Sequence, residues 1–424
     1  MRQIKALVIG SGAREHTLVW KLAQSSKVEE IYAAPGNAGT AQIAQNLDIN
    51  ATDIDALLAA AKKMKVDLTV VGPEAPLAAG IVNRFQDNGL AVFGATQAAA
   101  AIESSKVFAK GLLQDYGIPC ARSASFTGYR EAVEYARRQP VPIVIKADGL
   151  AAGKGVIIAM SADEAQDALS NLMQTKTLGT AGETVVIEEF LPGKEMSAFA
   201  FTDAESVVPM VAACDYKRVY DGDRGPNTGG MGCYSPPHFF TPALGKAALD
   251  TIMIPAWQAM KKEGRVYKGV LYGGLMVNND SLKVLEFNAR FGDPETQVIL
   301  PRLKTDLVDI MQAVIEDRLE QVKIEWSDDA CVGVVMASGG YPGKYPTGLP
   351  VSGLNSLDKD IMVFHAGTKT GPAGEILTSG GRVLTVVARG GTIAAAREKV
   401  YANLPCISFE GCHYRKDIAD VAKQ

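Results

Sequence analysis

The sequence predicts an α/β protein of about three domains, and three observations predict it. The chain has 424 residues, against roughly 150 for a typical domain, so each unit is large enough to bury a core of its own. Short apolar or β-branched runs at Ile31 to Ala34, Leu68 to Val71 and Leu90 to Phe93 alternate with helical spacing such as Leu18, Val19 and Leu22, the pattern of a parallel sheet with crossover helices. The 42 glycines, well above the average of about 7%, gather in short loops, where a backbone without a Cβ approaches a ligand closely.

Composition narrows the class. No apolar stretch nears the 18 residues of a membrane span, and no charged-then-apolar leader is present, so a cytoplasmic protein without a membrane partner is expected. A net charge of −4 gives no reason to expect nucleic acid as a partner. The six cysteines form no CxxC pair and are expected as reduced thiols.

The first strand ends in "GSGAREH", Gly10 to His16. A dinucleotide fingerprint needs a third glycine where Ala13, Arg14 and Glu15 stand, and an acid about 20 residues on, where Tyr32 to Pro35 offers none. Two readings remain: a tight turn capping the sheet, or an anion site in which helix N-terminal N–H groups and Arg14 favour a phosphate. The loops Pro35 to Gly39, with Asn37, and Gly72 to Pro76, with Glu74, are expected at the same carboxyl edge, where open α/β sheets bind ligands.

An alanine-rich helical stretch then runs from Thr96 to Gly117, stopped by Ile118-Pro119, and carries Lys106. "PIVIKADGLAAGKGVIIA", Pro142 to Ala159, reads as strand, glycine-rich loop, strand. Gly153-Lys154-Gly155 lacks the Ser or Thr of a P-loop and leads into β-branched residues, so a flexible hairpin over phosphates is expected. Val144 and Lys146 share a strand face, which lets the ammonium project towards whatever the loop covers. Ser161 to Glu164 is a capping box, and its acids are structural. "VVIEEFLPGKE", Val185 to Glu195, ends a strand in Glu188, Glu189 and Leu191, offering backbone groups to a purine edge with Glu195 in reach of a ribose.

The strongest chemical pattern is "LKVLEFNARFGDPETQ", Leu282 to Gln297. Glu286 and Asn288 stand two apart after the turn Asn278 to Ser281 and face one way. One anionic and one neutral oxygen ligand suit a hard divalent cation that also holds phosphate oxygens; a buried Glu–Asn pair without metal is the alternative. Arg290, Asp293 and Glu295 crowd further charge into this stretch. Cys214 to Pro236 is by composition a mobile surface loop, although the string Gly225 to Gly232 has N–H groups suited to a small carboxylate. Of the four histidines only His16 falls in a candidate loop.

These motifs, together with "GPEAPLAAGI" (Gly72 to Ile81), "GVVMASGGYPGKYPTG" (Gly333 to Gly348), "FHAGTK" (Phe364 to Lys369), "GGRVLTVVA" (Gly380 to Ala388) and "YRKDIA" (Tyr414 to Ala419), resemble the glycinamide ribonucleotide synthetase family of the ATP-grasp superfamily over nearly the whole chain. The resemblance implies an α/β (α+β) architecture: an N-terminal parallel α/β (pre-ATP-grasp) domain at 1–103, a two-subdomain ATP-grasp unit at 104–326 with a lid at about 121–191, and a small C-terminal α/β domain at 327–424. It implies that ATP, with Mg2+ or Mn2+, drives glycine onto 5-phosphoribosylamine through a glycyl phosphate, in a monomer or at most a weak homodimer.

The same resemblance implies roles for residues. Lys106 and Lys146 would meet the ATP phosphates, Gly153, Lys154 and Gly155 would form the lid loop, Glu188, Glu189 and Leu191 would flank adenine, and Glu195 the ribose. Glu286 and Asn288 would hold the metal. Arg290, Lys146 and Asp215 would be catalytic. Substrates would be bound by Gly10, Gly12, Arg14, Glu15, Asn37 and Glu74, by Asp215, Lys217, Pro226, Asn227, Thr228, Gly229 and Gly230, and by Arg290, Asp293 and Glu295. Where the family usually reads "GNGGREH", "QDHKR" and "GDTGPNTGG", this chain has Ser11 and Ala13, Cys214 and Tyr216, and Arg224. Tyr216 in place of a histidine argues against an essential acid or base there.

Overall fold

The computed structural model describes residues 3–150, 155–177, 179–279 and 281–420. Strands β1 (Ile4–Gly10), β2 (Val28–Pro35), β3 (Gln45–Asn46), β4 (Leu68–Val71) and β5 (Val92–Phe93) form a parallel sheet in the order β3-β2-β1-β4-β5. Both faces are buried, because successive side chains of β1 alternate: Leu7 and Ile9 enter one core, Ala6 and Val8 the other. Each such Leu or Ile contributes about 1.5–3 kcal/mol over leaving it in water. The strand order reverses beside β1, and the loops after β1, β2 and β4 lie together at its carboxyl edge.

The expected helix from Thr96 to Gly117 is two helices, Gln97–Ser104 and Lys106–Asp115. Ser105 leaves the helical region at φ −131°, ψ 110°, and its hydroxyl accepts from Phe108 N at 3.1 Å. Asp148 Oδ1 accepts from Val107 N at 3.2 Å, so a second residue caps the new helix. High alanine propensity hid this boundary, while an N-cap serine was the signal for it.

The lid is an antiparallel sheet in the order β6-β9-β7-β8, built from β6 (Ser123–Phe126), β7 (Ile143–Ala147), β8 (Val156–Ala159) and β9 (Val185–Glu189). It closes its own small core, including Ile143, Ile145, Leu169 and Ile187. Ser161 caps the helix Ala162–Leu169 by accepting from Glu164 N at 3.1 Å. Gly153 and Lys154 lie outside the described residues.

The body of the central unit continues with β10 (Lys194–Thr202) and β11 (Val207–Pro209). Residues Cys214 to Pro236, expected by composition as a mobile loop, instead contain β12 (Cys214–Asp215), β13 (Arg218–Tyr220), β14 (Arg224–Asn227) and β15 (Gly232–Ser235). Ladder partners far along the chain make the difference. β12 and β15 join a five-stranded sheet with β18 (Ala330–Ala337), β19 (Met362–His365) and β20 (Arg382–Gly390), in the order β12-β15-β18-β20-β19. That sheet therefore spans the boundary expected at residue 327. The body sheet is completed by β16 (Gly269–Asn278) and β17 (Ser281–Asn288), in the order β11-β10-β16-β17. Among the described residues no helix is long and apolar enough to cross a membrane.

Candidate active site

A cleft of about 1450 Å³ runs between the lid sheet and the body sheet and is bordered by residues from all parts of the chain. At one end β7 and β9 pair with Val144 opposite Glu188, which puts Lys146 and Glu188 diagonally on one face. Lys146 Nζ donates to Leu285 O of β17 at 2.9 Å, and Lys106 Nζ to Gly149 O at 3.2 Å, so both lysines link lid and body. Gly155 O accepts from Ala147 N at 2.8 Å and closes the hairpin. Leu191 and Glu195 line the cleft. Glu189 also borders it, but its carboxylate is taken by Arg122 Nε and Lys283 Nζ, each at 2.9 Å. Burial opposes the charge, yet those bonds outweigh it and hold Glu189 down at about 2.

Glu286 and Asn288 project from β17 on one face, opposite Gly274 and Tyr272 of β16. Asn288 Oδ1 accepts from Arg290 Nη2 at 3.1 Å, whereas Glu286 makes no side-chain hydrogen bond among the described residues. Burial works against its charge, but Lys217, Lys146, Lys106 and Arg290 together hold its carboxyl below the usual range. An ionised, unspent carboxylate beside an amide oxygen fits a hard divalent cation.

At the far end Asp215 is 3.2 Å from Lys217. Burial pushes the Asp215 carboxyl up to about 7; Lys217 opposes this, and Glu295 and Glu195 add to it. Glu295 itself accepts from Tyr272 OH at 2.7 Å and Ser197 Oγ at 3.2 Å, a buried structural junction. Asn227, Thr228 and Gly229 line the cleft, and the Gly229 peptide is clasped by the C-terminal region: its N–H donates to Tyr341 OH at 3.0 Å and its carbonyl accepts from Arg382 Nη1 at 2.6 Å. Pro226 and Gly230 are not among the lining residues. Gly230 has φ +109°, and a Cβ there would come within 2.4 Å of Pro294, so its requirement is conformational.

Arg290 is mostly buried, with Nη2 2.9 Å from Glu103 and Nε 3.4 Å from Glu74. Asp293 is paired with Arg382 at 3.1 Å. Glu103, Lys110, Tyr272, Tyr341 and Arg382 were not singled out from the sequence as site residues. For Lys110 the i, i+4 spacing after Lys106 was an available signal; for the others only tertiary contact reveals the role.

The opening loop departs most from expectation. Arg14 and Glu74 reach the cleft, but Gly10, Gly12, Glu15 and Asn37 are not among its lining residues. The donor intended for a phosphate is already used: Gly12 N donates to Glu15 Oε2 at 2.6 Å, and Arg14 Nε to Glu15 Oε1 at 2.5 Å. A Cβ on Gly10, Gly12 or Gly72 would come within 3.0 Å of the Glu15 side chain, so these glycines make room for that carboxylate. Asn37 is likewise consumed, donating to Ser11 O at 2.8 Å and His365 O at 2.7 Å and accepting from Gly39 N at 2.8 Å. His16 is buried against Phe364 and accepts from His365 N through Nδ1 at 2.8 Å, which fastens the N-terminal helix to the C-terminal sheet.

A lid hairpin over an antiparallel body, with paired lysines at one end of the cleft and an acid–amide pair facing it, defines an ATP-dependent ligase of the ATP-grasp class. Family comparison extends this to the whole chain: residues 4–103, 104–296 and 331–421 match the N, ATP-grasp (A) and C domains of phosphoribosylglycinamide synthetase. The chain belongs to the phosphoribosylglycinamide synthetase family. A phosphoribosylamine–glycine ligase of Halalkalibacterium halodurans is 50% identical over 419 residues, covering 99% of this chain and 97% of its own. That of Neisseria meningitidis serogroup A is 49% identical over 420 residues, 99% of each chain. A solved phosphoribosylamine–glycine ligase from Thermotoga maritima superposes with a TM-score of 0.85 at 33% identity, covering 98% of this chain and 100% of its own. Biotin carboxylase of Campylobacter jejuni, at 15% identity and a TM-score of 0.76 over 97% and 93% of the two chains, shares the fold.

Proposed function

We infer that this enzyme uses ATP to join glycine to 5-phosphoribosylamine, giving glycinamide ribonucleotide, ADP and phosphate in purine biosynthesis. The observation that carries the reading is one continuous cleft with Lys106 and Lys146 at one end, Glu286 and Asn288 between, and Asp215, Lys217 and the Asn227 to Gly229 segment at the other. The nucleotide lies at the lid end, with backbone groups around Glu188, Glu189 and Leu191 at the adenine and Glu195 at the ribose. Lys106 and Lys146 neutralise its phosphates, beneath the hairpin of β7 and β8.

A glycine carboxylate oxygen attacks the γ-phosphorus and ADP leaves, forming glycyl phosphate. The free amine of phosphoribosylamine then attacks the carbonyl carbon, and the tetrahedral oxyanion collapses as phosphate departs and the nitrogen loses a proton. No covalent bond to the enzyme is made, so positioning and charge neutralisation carry the rate. A divalent cation, Mg2+ or Mn2+, held by Glu286 and Asn288 supplies charge neutralisation at the phosphates. The Arg290 guanidinium, which borders the cleft, stabilises the oxyanion. Asp215, with its carboxyl near 7, accepts the amine proton. Lys217 and the Asn227 to Gly229 segment hold glycine, while Arg14 and Glu74 face the ribose phosphate substrate. Enclosure by the lid protects the acyl phosphate from water.

The working unit is a cytoplasmic monomer, or a weak homodimer, divided at residues 1–103, 104–326 and 327–424, with the sheet of β12, β15 and β18 joining the last two parts. The test is phosphate release by the purified enzyme with Mg2+ and ATP, with phosphoribosylamine formed in place from ribose 5-phosphate and ammonia. Release that needs both glycine and the amine is expected. Release with neither, or with another small amino acid in place of glycine, overturns the assignment.

A further inference from the structure

Lys110 belongs to no step described above. It stands one turn after Lys106 on the helix Lys106–Asp115, whose Ala109, Leu112 and Leu113 are packed into the core of the body. Its side chain crosses to the lid. Lys110 Nζ is 3.0 Å from Glu188 Oε2, and Lys146 Nζ is 3.1 Å from the same oxygen. All three side chains are more than nine-tenths buried: Lys110 and Lys146 are 5% exposed and Glu188 3%. Lys146 also has Leu285 O as a hydrogen-bond acceptor, whereas among the described residues Lys110 Nζ has no acceptor besides Glu188 and Glu188 Oε1 has no donor. Lys110 meets Glu188 in a buried ion pair.

One carboxylate here balances two ammoniums, and the trio keeps one positive charge where water cannot offset it. Without Lys110, Lys146 and Glu188 would form a neutral buried pair, and the carboxylate would compete with phosphate for Lys146. A second ammonium on the shared oxygen weakens that competition and restores the sign a polyphosphate requires. We propose that Lys110 is a positioning residue for ATP: it occupies Glu188 from the body side so that Lys146 remains available to the nucleotide. The proposal rests on the ATP reading of the cleft given above. Burial alone would drive the Lys110 ammonium towards neutrality, and the Glu188 charge is what opposes this.

The test is a two-residue cycle read by equilibrium binding of a non-hydrolysable β,γ-imido ATP and by steady-state KM values. Lys110→Met is expected to weaken analogue binding and raise the KM for ATP about tenfold, with the KM for glycine within about twofold of wild type. Lys110→Arg, which keeps the charge, stays within about threefold. In a Glu188→Gln background Lys110 has no charge to hold, so adding Lys110→Met changes analogue binding by less than about twofold. Additive losses in the two backgrounds, or unchanged binding by Lys110→Met, overturn the proposal. Should Lys110→Met fail to fold, Glu188→Gln and Glu188→Gln/Lys110→Met decide it. A further tenfold loss in the double variant, or its failure to fold, assigns Lys110 to packing. Wild-type protein that does not bind the analogue overturns the ATP reading itself, a separate outcome.

Discussion

The opening loop and the lid–body cleft both place acids and bases out of water beside glycines, yet they end in opposite states. In the loop every partner is supplied by the chain: Glu15 takes the Gly12 N–H and the Arg14 guanidinium, and Asn37 spends both ends of its amide. In the cleft the pairing is uneven: among the described residues Glu286 makes no side-chain hydrogen bond, and Lys110 and Lys146 share one oxygen of Glu188. A buried polar group left without a partner costs about 1–3 kcal/mol, so such groups mark where a ligand completes the structure. Completed groups mark where the chain holds itself together.

The largest test of this contrast is Glu286→Ala. Removing the unspent carboxylate is expected to lower phosphate release about a thousandfold with an unfolding midpoint close to wild type. A fall in stability matching the fall in rate would move Glu286 to the structural side. Glu15→Ala is the mirror case: it strands Arg14 in the interior and is expected to cost about 3 kcal/mol in urea denaturation, with turnover of the folded enzyme nearly kept. Unchanged stability with a much steeper requirement for phosphoribosylamine would make the loop a ligand site after all.

The His16 contact sharpens the structural side. Burial holds this imidazole down at about 3, with His365 adding to the effect, against an ordinary value of 6.5. As pH falls through 6.5 the unfolded chain takes up a proton that the folded one refuses, so stability is lost from there towards pH 3. His16→Asn, which keeps an acceptor near Nδ1, is expected to flatten that decline by about 2 kcal/mol; an unchanged slope in acid denaturation would exclude His16 as its source.

On the cleft side, Asp215 ionises near pH 7. Thus kcat/KM for glycine should rise through neutrality and level off above it, and Asp215→Asn should remove that limb and lower the plateau about tenfold. Persistence of the limb in the variant would assign it to another group. The smallest effect is expected from Ser105→Ala, which removes the cap that starts the Lys106 helix: about 1 kcal/mol of stability and a slight rise in the KM for ATP. A loss well beyond that would show that the helix break itself sets the position of Lys106.

Much of the fold was legible because its signals are local. The run Leu68 to Val71 is β4 over those same residues, and Ser161 caps its helix as the box predicts. The shared face of Glu286 and Asn288 was legible too, because a two-residue strand period places two side chains on one side whatever the surroundings. The helix break at Ser105 was missed because alanine propensity over the window outweighed a single cap. The stretch Cys214 to Pro236 was misread because its polar composition hides strands whose partners, such as β18, lie about a hundred residues away.

By itself the sequence determined the class of fold, the family and the residue types available for binding ATP, metal and an amino acid, since spacing and motif order are properties of the chain. The tertiary structure alone decided which of those residues are spent. Whether the Gly12 N–H meets a phosphate or Glu15 of its own loop, and whether Glu188 is balanced by one lysine or two, depends on which groups meet out of water, where an unmatched charge costs most.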